Sequence, residues 1–493
     1  MMREVEKSDL LVVPLKPANK AAKAAAERVE GSGRTEGNAG RQSTVRTQSR
    51  EAVSQAQNRI REAITRNKRE KLTALLHHVT VDVMRAAFLN LKRDAAPGVD
   101  RMTWAEYEIG LEDRLCDLHG RVHGGRYRAL PSRRKFIPKP DGRQRPLGIA
   151  ALEDKIVQAA VVFILTPIYE AEFLGFSYGF RPGRSQHNAL DALAYGIKAR
   201  KVCWILDADI RSFYDTISHE WMIRFVEHRI GDRRVVRLIQ KWLKAGVLED
   251  GQRIATTEGT PQGAVASPLL ANIYLHYVYD LWAQQWRGRE CTGDMMMVRY
   301  ADDTVVGFQH RQDAERFLAA LRDRLAQFHL GLHPDKTRLL EFGKFASERR
   351  SARGEGKPET FDFLGFTHYC GKKLHGKGFQ LGRKTQGKRM RAKLKGIKET
   401  LKKHDDAPLD EQGRWLGAVM RGYFAYFAVP NNLRSLYAFR YRIVALWFRA
   451  RKRRSQRSRV TWERMRAHAD QYLPTVRVLH PWPEERFRVK YSL

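Results

Sequence analysis

Tyr300-Ala301-Asp302-Asp303 stands between two apolar stretches, Met295-Met-Met-Val298 and Thr304-Val-Val-Gly-Phe308. Two β-prone runs with so short a link between them read as a tight β-hairpin, which lifts two adjacent acids to its tip. A third acid, Asp209, closes another apolar strand far upstream, Cys203-Trp-Ile-Leu-Asp-Ala-Asp209. Laid side by side, the two strands bring their carboxylates together in a pocket suited to divalent metal.

Charge narrows what such a pocket works on. Among 493 residues, 90 Lys and Arg face 55 acids, a formal net charge of +35. A lone globule with that excess repels itself, whereas a protein that holds a polyanion requires it. Transfer of a nucleotide to a 3′ hydroxyl uses paired cations to manage the attacking oxygen and the charge developing on the phosphoryl group. Acid hairpin and basic chain together point to a nucleic-acid polymerase with two Mg2+ ions. No apolar run approaches the ~18 residues of a membrane-spanning helix and no signal-peptide pattern opens the chain, so a cytoplasmic, nucleoid-associated protein of bacterial type with no membrane partner is expected. Cys116, Cys203, Cys291 and Cys370 are far apart in the chain. They predict reduced thiols, neither a zinc site nor a disulfide framework.

The length predicts two or three domains. Residues 1–57, rich in Lys, Arg, Ala, Gly and Ser, read as a basic, disordered tail. Residues 58–375 mix helix and strand. They include a long helix over 153–170, with Ile156, Val157, Ala160, Val161, Ile164 and Leu165 on one face, and another that Ser267 caps and Pro268 begins. Residues 376–493 read as basic amphipathic helices, with Met390, Leu394, Ile397 and Leu401 forming one apolar stripe and Leu416, Met420, Tyr423 and Phe427 part of another. The fold class is α+β.

Side chains alternate along a strand, so Asp207 and Asp209 share a face and either is a candidate ligand. Asp209 is preferred because it ends the apolar run just before the chain turns at Arg211-Ser212. A metal set of Asp209, the backbone carbonyl of Ile210 and Asp302 meets the oxygen preference of Mg2+ and leaves positions for phosphates. Neighbours on a hairpin point to different sides, which gives Asp302 the direct metal role and Asp303 a secondary catalytic one.

Eight blocks in order resemble group II intron-encoded reverse transcriptases, also called maturases. They are Ala96-Pro-Gly-Val-Asp100, Phe136 to Ile149, Tyr178-Gly-Phe-Arg-Pro-Gly-Arg-Ser185, the Asp209 segment, Gly259 to Ile273, the Tyr300 hairpin, Leu332-His-Pro-Asp-Lys-Thr337 and Phe363-Leu-Gly-Phe366. The resemblance covers roughly residues 80 to 480. It implies a right-hand polymerase, with fingers and an antiparallel palm sheet followed by a helical thumb and maturase region. By position it implies that Arg133, Lys139 and Arg145 contact the incoming dNTP, that Phe213 or Tyr214 lies beneath the sugar as a gate, and that Gln262 lies near the nascent base pair. Lys336 falls near the primer, and Phe363 to Phe366 matches the primer grip.

The basic helices are the expected phosphate-tracking surface. From Arg383 to Lys403 ten residues are basic against the single acid Glu399, and from Arg434 to Arg459 ten are basic and none acidic, so the charge of each run is nearly all of one sign. Lys388, Arg389, Arg391, Lys395, Arg440, Arg442, Arg451 and Arg453 are the candidate contacts. The resemblance implies an RNA-directed DNA polymerase that binds its group II intron RNA for splicing and copies it into target DNA from a primer. No His and Cys pattern of a C-terminal nuclease follows residue 473, so no endonuclease activity is expected. A non-catalytic splicing factor, or a reverse transcriptase used for repair, defence or diversification, are the alternatives.

Overall fold

A computed structural model describes residues 39–66, 70–138, 144–373, 378–453 and 460–491. The first described element is a helix, Ala39–Arg66, whose apolar residues Ala56, Ile60 and Ile64 are buried. It runs through position 57, where composition placed the end of the tail, because that apolar stripe finds a partner in the long helix α1, Leu152–Glu170. Residues 1–38 of the expected tail lie outside the described residues. No helix of the described residues is long and apolar enough to cross a membrane.

Three sheets organise the chain, and helices surround them. The first holds β1 (Ser132–Pro138), β2 (Gln144–Ile149), β4 (Val247–Glu249) and β5 (Gln252–Ile254) in the order β2-β1-β4-β5, antiparallel except between β1 and β4. The second is fully antiparallel, with β6 (Met295–Tyr300), β7 (Asp303–Phe308), β3 (Trp204–Asp209) and β8 (Arg338–Glu341) side by side in that order. The edge of β6 is covered by the Phe176–Tyr178 segment, where the Tyr178 and Arg299 amides exchange bonds of 2.8 and 2.9 Å with Arg299 and Phe176 carbonyls. That cover removes an exposed edge from the strand next to the acid turn.

The helices around the second sheet are α2 (Gln186–Ala199), which opens on a Ser185–Asn188 capping box, α3 (Ser267–Leu275), α4 (Leu281–Arg289) and α5 (Arg311–Ala326). A single π-helical turn, His276–Asp280, joins α3 to α4. Phe317 of α5 meets Phe308 of β7 with ring centroids 5.4 Å apart, so α5 closes the sheet face opposite the acids. Pro268 falls in the first turn of α3, but Ser267 is itself the first helical residue and does not cap it. Its hydroxyl instead bonds the Pro261 carbonyl at 2.9 Å and the Thr260 hydroxyl at 2.6 Å, pinning the preceding loop.

The third sheet is β9 (Phe361–Phe363), β10 (Phe366–Lys372) and β11 (Phe379–Thr385), paired in the order β11-β10-β9. Leu364 (φ 47°) and Gly365 (φ 84°) make the β9–β10 link, and two successive positive φ angles define the turn type that suits a two-residue hairpin. The expected boundary at 375–376 lies outside the described residues, and the first helix after β11 begins at Gly387. The helical part contains α6 (Gly387–Lys403), α7 (Leu409–Phe427), α8 (Leu433–Arg453), α9 (Trp462–Tyr472) and α10 (Pro483–Tyr491). Buried Asn432 joins this region to the third sheet: its amide accepts from Thr385 N and donates to the Phe427 carbonyl, each at 2.8 Å. α10 returns to α2, where Asp191 pairs with Arg486 at 2.5 Å and with Arg383 of β11 at 3.6 Å.

Candidate active site

The register of the second sheet sets the acids. Asp209 of β3 is the direct partner of Asp303 of β7, and Asp207 of Val305. Opposed residues share a face, so Asp207, Asp209 and Asp303 line one side of the sheet. A directly opposed pair has Cα atoms at most ~5.5 Å apart and consecutive residues 3.8 Å, which puts the Cα atoms of Asp209 and Asp302 within about 9 Å. Asp303, rather than Asp302, thus lies straight across from Asp209, while Asp302 sits in the two-residue link.

Charge at this point is unbalanced. Burial, then the Asp209 charge, raises the Asp302 carboxyl above the usual carboxylate range. Crowding by protein and the charges of Asp302 and Asp209 push Asp303 up to about 7, although its exposed surface lets water screen part of that effect. Asp207 is also pushed up to about 7, chiefly by burial, and is opposed by Arg338 at 3.8 Å. The Lys336 ammonium forms an ion pair with Asp209. The sequence placed Lys336 near a primer; the structure sets it on the acid itself, so a cation already sits against this carboxylate.

The backbone offers one more oxygen. Arg211 N donates to the Gly331 carbonyl and His333 N to the Asp209 carbonyl, both at 2.8 Å, so the Ile210–Leu332 bridge is of the non-hydrogen-bonded kind. The Ile210 carbonyl therefore points the other way, toward the β7 side and the acid turn. Among the described residues no group of three or more His, Cys, Asp and Glu side chains forms a ready metal cage. The available donors are carboxylate and carbonyl oxygens alone, the set that Mg2+ accepts while keeping waters and substrate phosphates.

The turn is held tightly. Ala301 has φ 56°, a left-handed conformation that costs a non-glycine residue roughly 1–2 kcal/mol. Gly179 packs directly on it: a Cβ there would lie 2.3 Å from Ala301 N, which is why only glycine fits. Phe180, exposed, approaches Tyr300 with ring centroids 6.2 Å apart. Beneath the turn lies a polar cluster that sequence reasoning missed. Arg299, 1% exposed, bonds Asp280 through Nε and Nη2, each at 2.6 Å, and also Ser177 Oγ, Asn272 Oδ1 and the Ala301 carbonyl. One signal was present: an Arg inside an otherwise apolar strand needs a buried counter-charge.

Other expected site residues fall around this centre. Phe213 is buried, whereas Tyr214 is half-buried and lines a cavity with Arg134, Pro146, Thr260 and Gln262. Burial, with the Asp302 charge behind it, raises the Tyr214 phenol. The Gln262 loop is locked by Thr260 N to the Tyr214 carbonyl at 2.7 Å and Gly148 N to the Gln262 carbonyl at 2.8 Å. Arg145 is exposed on β2, and its charge acts on both Asp302 and Tyr214. Arg133 is half-buried and donates to the Pro97 carbonyl at 2.7 Å, which ties the Ala96–Asp100 segment to β1. Lys139 lies outside the described residues.

On α6, Lys388, Arg389, Arg391 and Lys395 are exposed opposite buried Met390, Leu394, Ile397 and Leu401. Arg389 packs on Gly365, and its charge reaches Asp303. The α8 set divides. Arg442 and Arg453 are exposed, Arg451 is half-buried, and Arg440 is engaged by Asp470 of α9 at 2.7 Å. Tyr437 and Tyr441 are exposed one turn apart, while Phe439 and Trp447 are core.

Comparison with known proteins finds sequences similar to this chain. Residues 137–368 match the family model described as reverse transcriptase (RNA-dependent DNA polymerase). The chain is 40% identical over 191 residues to Protein YkfC of Escherichia coli, covering 38% of this chain and 50% of that protein. It is 36% identical over 223 residues to the group II intron-encoded protein LtrA of Lactococcus lactis, covering 44% and 37%. A putative COX1/OXI3 intron 2 protein of Saccharomyces cerevisiae is 33% identical over 183 residues, covering 37% and 21%. The matched part thus spans half or less of the length of these relatives.

Proposed function

We propose that this chain, which belongs to the reverse transcriptases encoded by group II introns, is an RNA-directed DNA polymerase that also acts as a maturase. The observation that carries the reading is the pairing of Asp209 with Asp303 beside the Tyr300–Asp303 turn, within the matched region. Asp209, the Ile210 carbonyl and Asp302 would hold Mg2+, with Asp303 adding negative potential. The ions, when bound, supply Lewis-acid charge at the primer oxygen and the dNTP phosphates. Lys336, paired with Asp209 here, would leave that carboxylate free to hold Mg2+ and would then lie toward the primer side.

The first sheet, the second sheet and the helices α6–α10 correspond in this reading to fingers, palm, and thumb with maturase region. Arg145 neutralises triphosphate, while Arg133 fixes the Ala96–Asp100 segment against β1. Of the two candidate gates, Tyr214 faces the cavity and Phe213 serves the core, so Tyr214 would meet a 2′ hydroxyl. The Leu364-Gly365 turn, flanked by Arg389, suits the primer strand. Exposed Lys388, Arg391, Lys395, Arg442 and Arg453 track phosphates, Arg451 contributes from a half-buried position, and Arg440 positions α9 through Asp470. Tyr437 and Tyr441 offer stacking faces for unpaired bases. Intron RNA, primer and target DNA are the partners.

The test is primer extension on an RNA template with Mg2+. Asp302→Ala is expected to abolish DNA synthesis while RNA binding persists; undiminished synthesis by this variant removes the site assignment.

A further inference from the structure

Arg299 uses every donor it has. Nε and Nη2 fork onto the two Asp280 oxygens at 2.6 Å, Nη2 also reaches Ser177 Oγ at 2.7 Å, and Nη1 reaches Asn272 Oδ1 at 3.1 Å and the Ala301 carbonyl at 2.9 Å. Five N–H groups in a rigid plane thus meet five acceptors. Asn272 passes the constraint on, donating to the Gly179 carbonyl at 2.7 Å, and Gly179 is the residue that packs against Ala301 N. Three segments distant in the chain are joined at one guanidinium: Ser177–Gly179, the helix from Asn272 to Asp280, and the acid turn.

A cluster like this is an expensive way to fill space. Both charges are fully desolvated, with Arg299 1% and Asp280 0% exposed, and apolar residues of similar volume commonly stabilise such a position as well or better. Asp280 closes a π-helical turn, a distortion kept mostly where a site needs it. The carbonyl that the cluster holds belongs to Ala301, the one residue of the turn with a positive φ.

We propose that Arg299 is a positioning residue for the polymerase reaction: anchored by Asp280, Asn272 and Ser177, it holds the Ala301 carbonyl and thereby sets where the Asp302 and Asp303 carboxylates point. The inference rests on the reading of Asp302 as part of the polymerase site. Arg299 touches no substrate, and it acts through the turn alone. Lysine at this position keeps the charge but cannot supply the planar fork, so the turn gains freedom while the sheet stays paired.

Arg299→Lys is compared with Arg181→Lys and Asp302→Ala. Arg181 is also buried and forked onto an acid, Glu170, at 2.8 and 3.0 Å, but makes no bond to the turn. Hydrogen exchange of the 300–303 amides in metal-free protein, the melting temperature, primer–template affinity and kcat are measured for each. Arg299→Lys is expected to speed exchange at the turn and to lower kcat about 100-fold, the cost of roughly 1 Å of misplacement, with primer–template affinity unchanged. Arg181→Lys is expected to lower the melting temperature alone. Ser177→Ala deletes a single acceptor and keeps the ion pair, so it repeats the test by a milder change, with a smaller rise in exchange of about five- to tenfold. Wild-type exchange and kcat in Arg299→Lys, or the same losses in Arg181→Lys, overturn the proposal. Full synthesis by Asp302→Ala overturns instead the site reading beneath it.

Discussion

His368 shows how acid would weaken the sheet that presents the Leu364-Gly365 turn. It lies mid-strand in β10 with Phe361 of β9 on one side and Arg383 of β11 on the other, fully buried, its ring stacked on Phe361 at 4.8 Å and 9°. Burial, with the Arg383 charge second, pushes its imidazole down from 6.5 to about 3. The folded protein therefore refuses a proton that the unfolded chain accepts. Stability from this group is whole above the unfolded value of 6.5 and is lost as pH falls from there toward 3. Each unit within that window costs about 1.4 kcal/mol, so at pH 5 the loss is about 2 kcal/mol. Phenylalanine keeps the stack and has no proton to refuse. Urea unfolding of wild type and His368→Phe at pH 7.5 and pH 5.0, in EDTA, should show wild type losing about 2 kcal/mol more than the variant over that interval. His187 and His276, each pushed down to about 4 by burial first, and Asp154 and Asp191, each pushed up to about 6 by burial first, titrate in both proteins and cancel in the difference. Equal losses in the two proteins would refute the assignment of a buried, neutral His368.

Two further outcomes follow from packing and charge. Gly179→Ala drives a Cβ into the Ala301 backbone and should cut DNA synthesis by about 100-fold with RNA binding intact; near-normal kcat would show that the turn is not set by this contact. For the α6 surface, log affinity for single-stranded nucleic acid should fall against log salt with about 0.7 of slope per contact, so alanine at Lys388, Arg389, Arg391 and Lys395 should flatten it by about 3. An unchanged slope would mean these side chains meet only solvent.

What could be read from the chain was local. The acid hairpin declared itself because alternation and apolar flanks are short-range, and Leu152–Glu170 and Gly387–Lys403 because their stripes repeat within each helix. Register is not short-range. Which of Asp302 and Asp303 faces Asp209 depends on how β3 slides along β7, and nothing in either strand alone states it. Lys336 on Asp209 and Asp470 on Arg440 are likewise meetings of remote segments. The helix that crosses position 57 was hidden for a related reason: its weak apolar stripe in a basic stretch is received by two remote helices, Val81–Leu89 and α1. Arg299 in an apolar strand signalled a buried counter-charge, but its partners Asp280, Asn272 and Ser177 stayed hidden because they come from remote segments.

The adjacency of β3 and β7 has a consequence for when this molecule becomes competent. The 300–303 hairpin closes from neighbouring residues on a scale of about 1–10 μs, but its meeting with β3 awaits the gathering of the whole stretch between them. A nascent or half-denatured chain therefore displays the tell-tale tetrapeptide with no chemistry attached. Nucleotide incorporation then reports long-range closure rather than the presence of the motif, and it serves as an internal gauge of whether a preparation has finished folding.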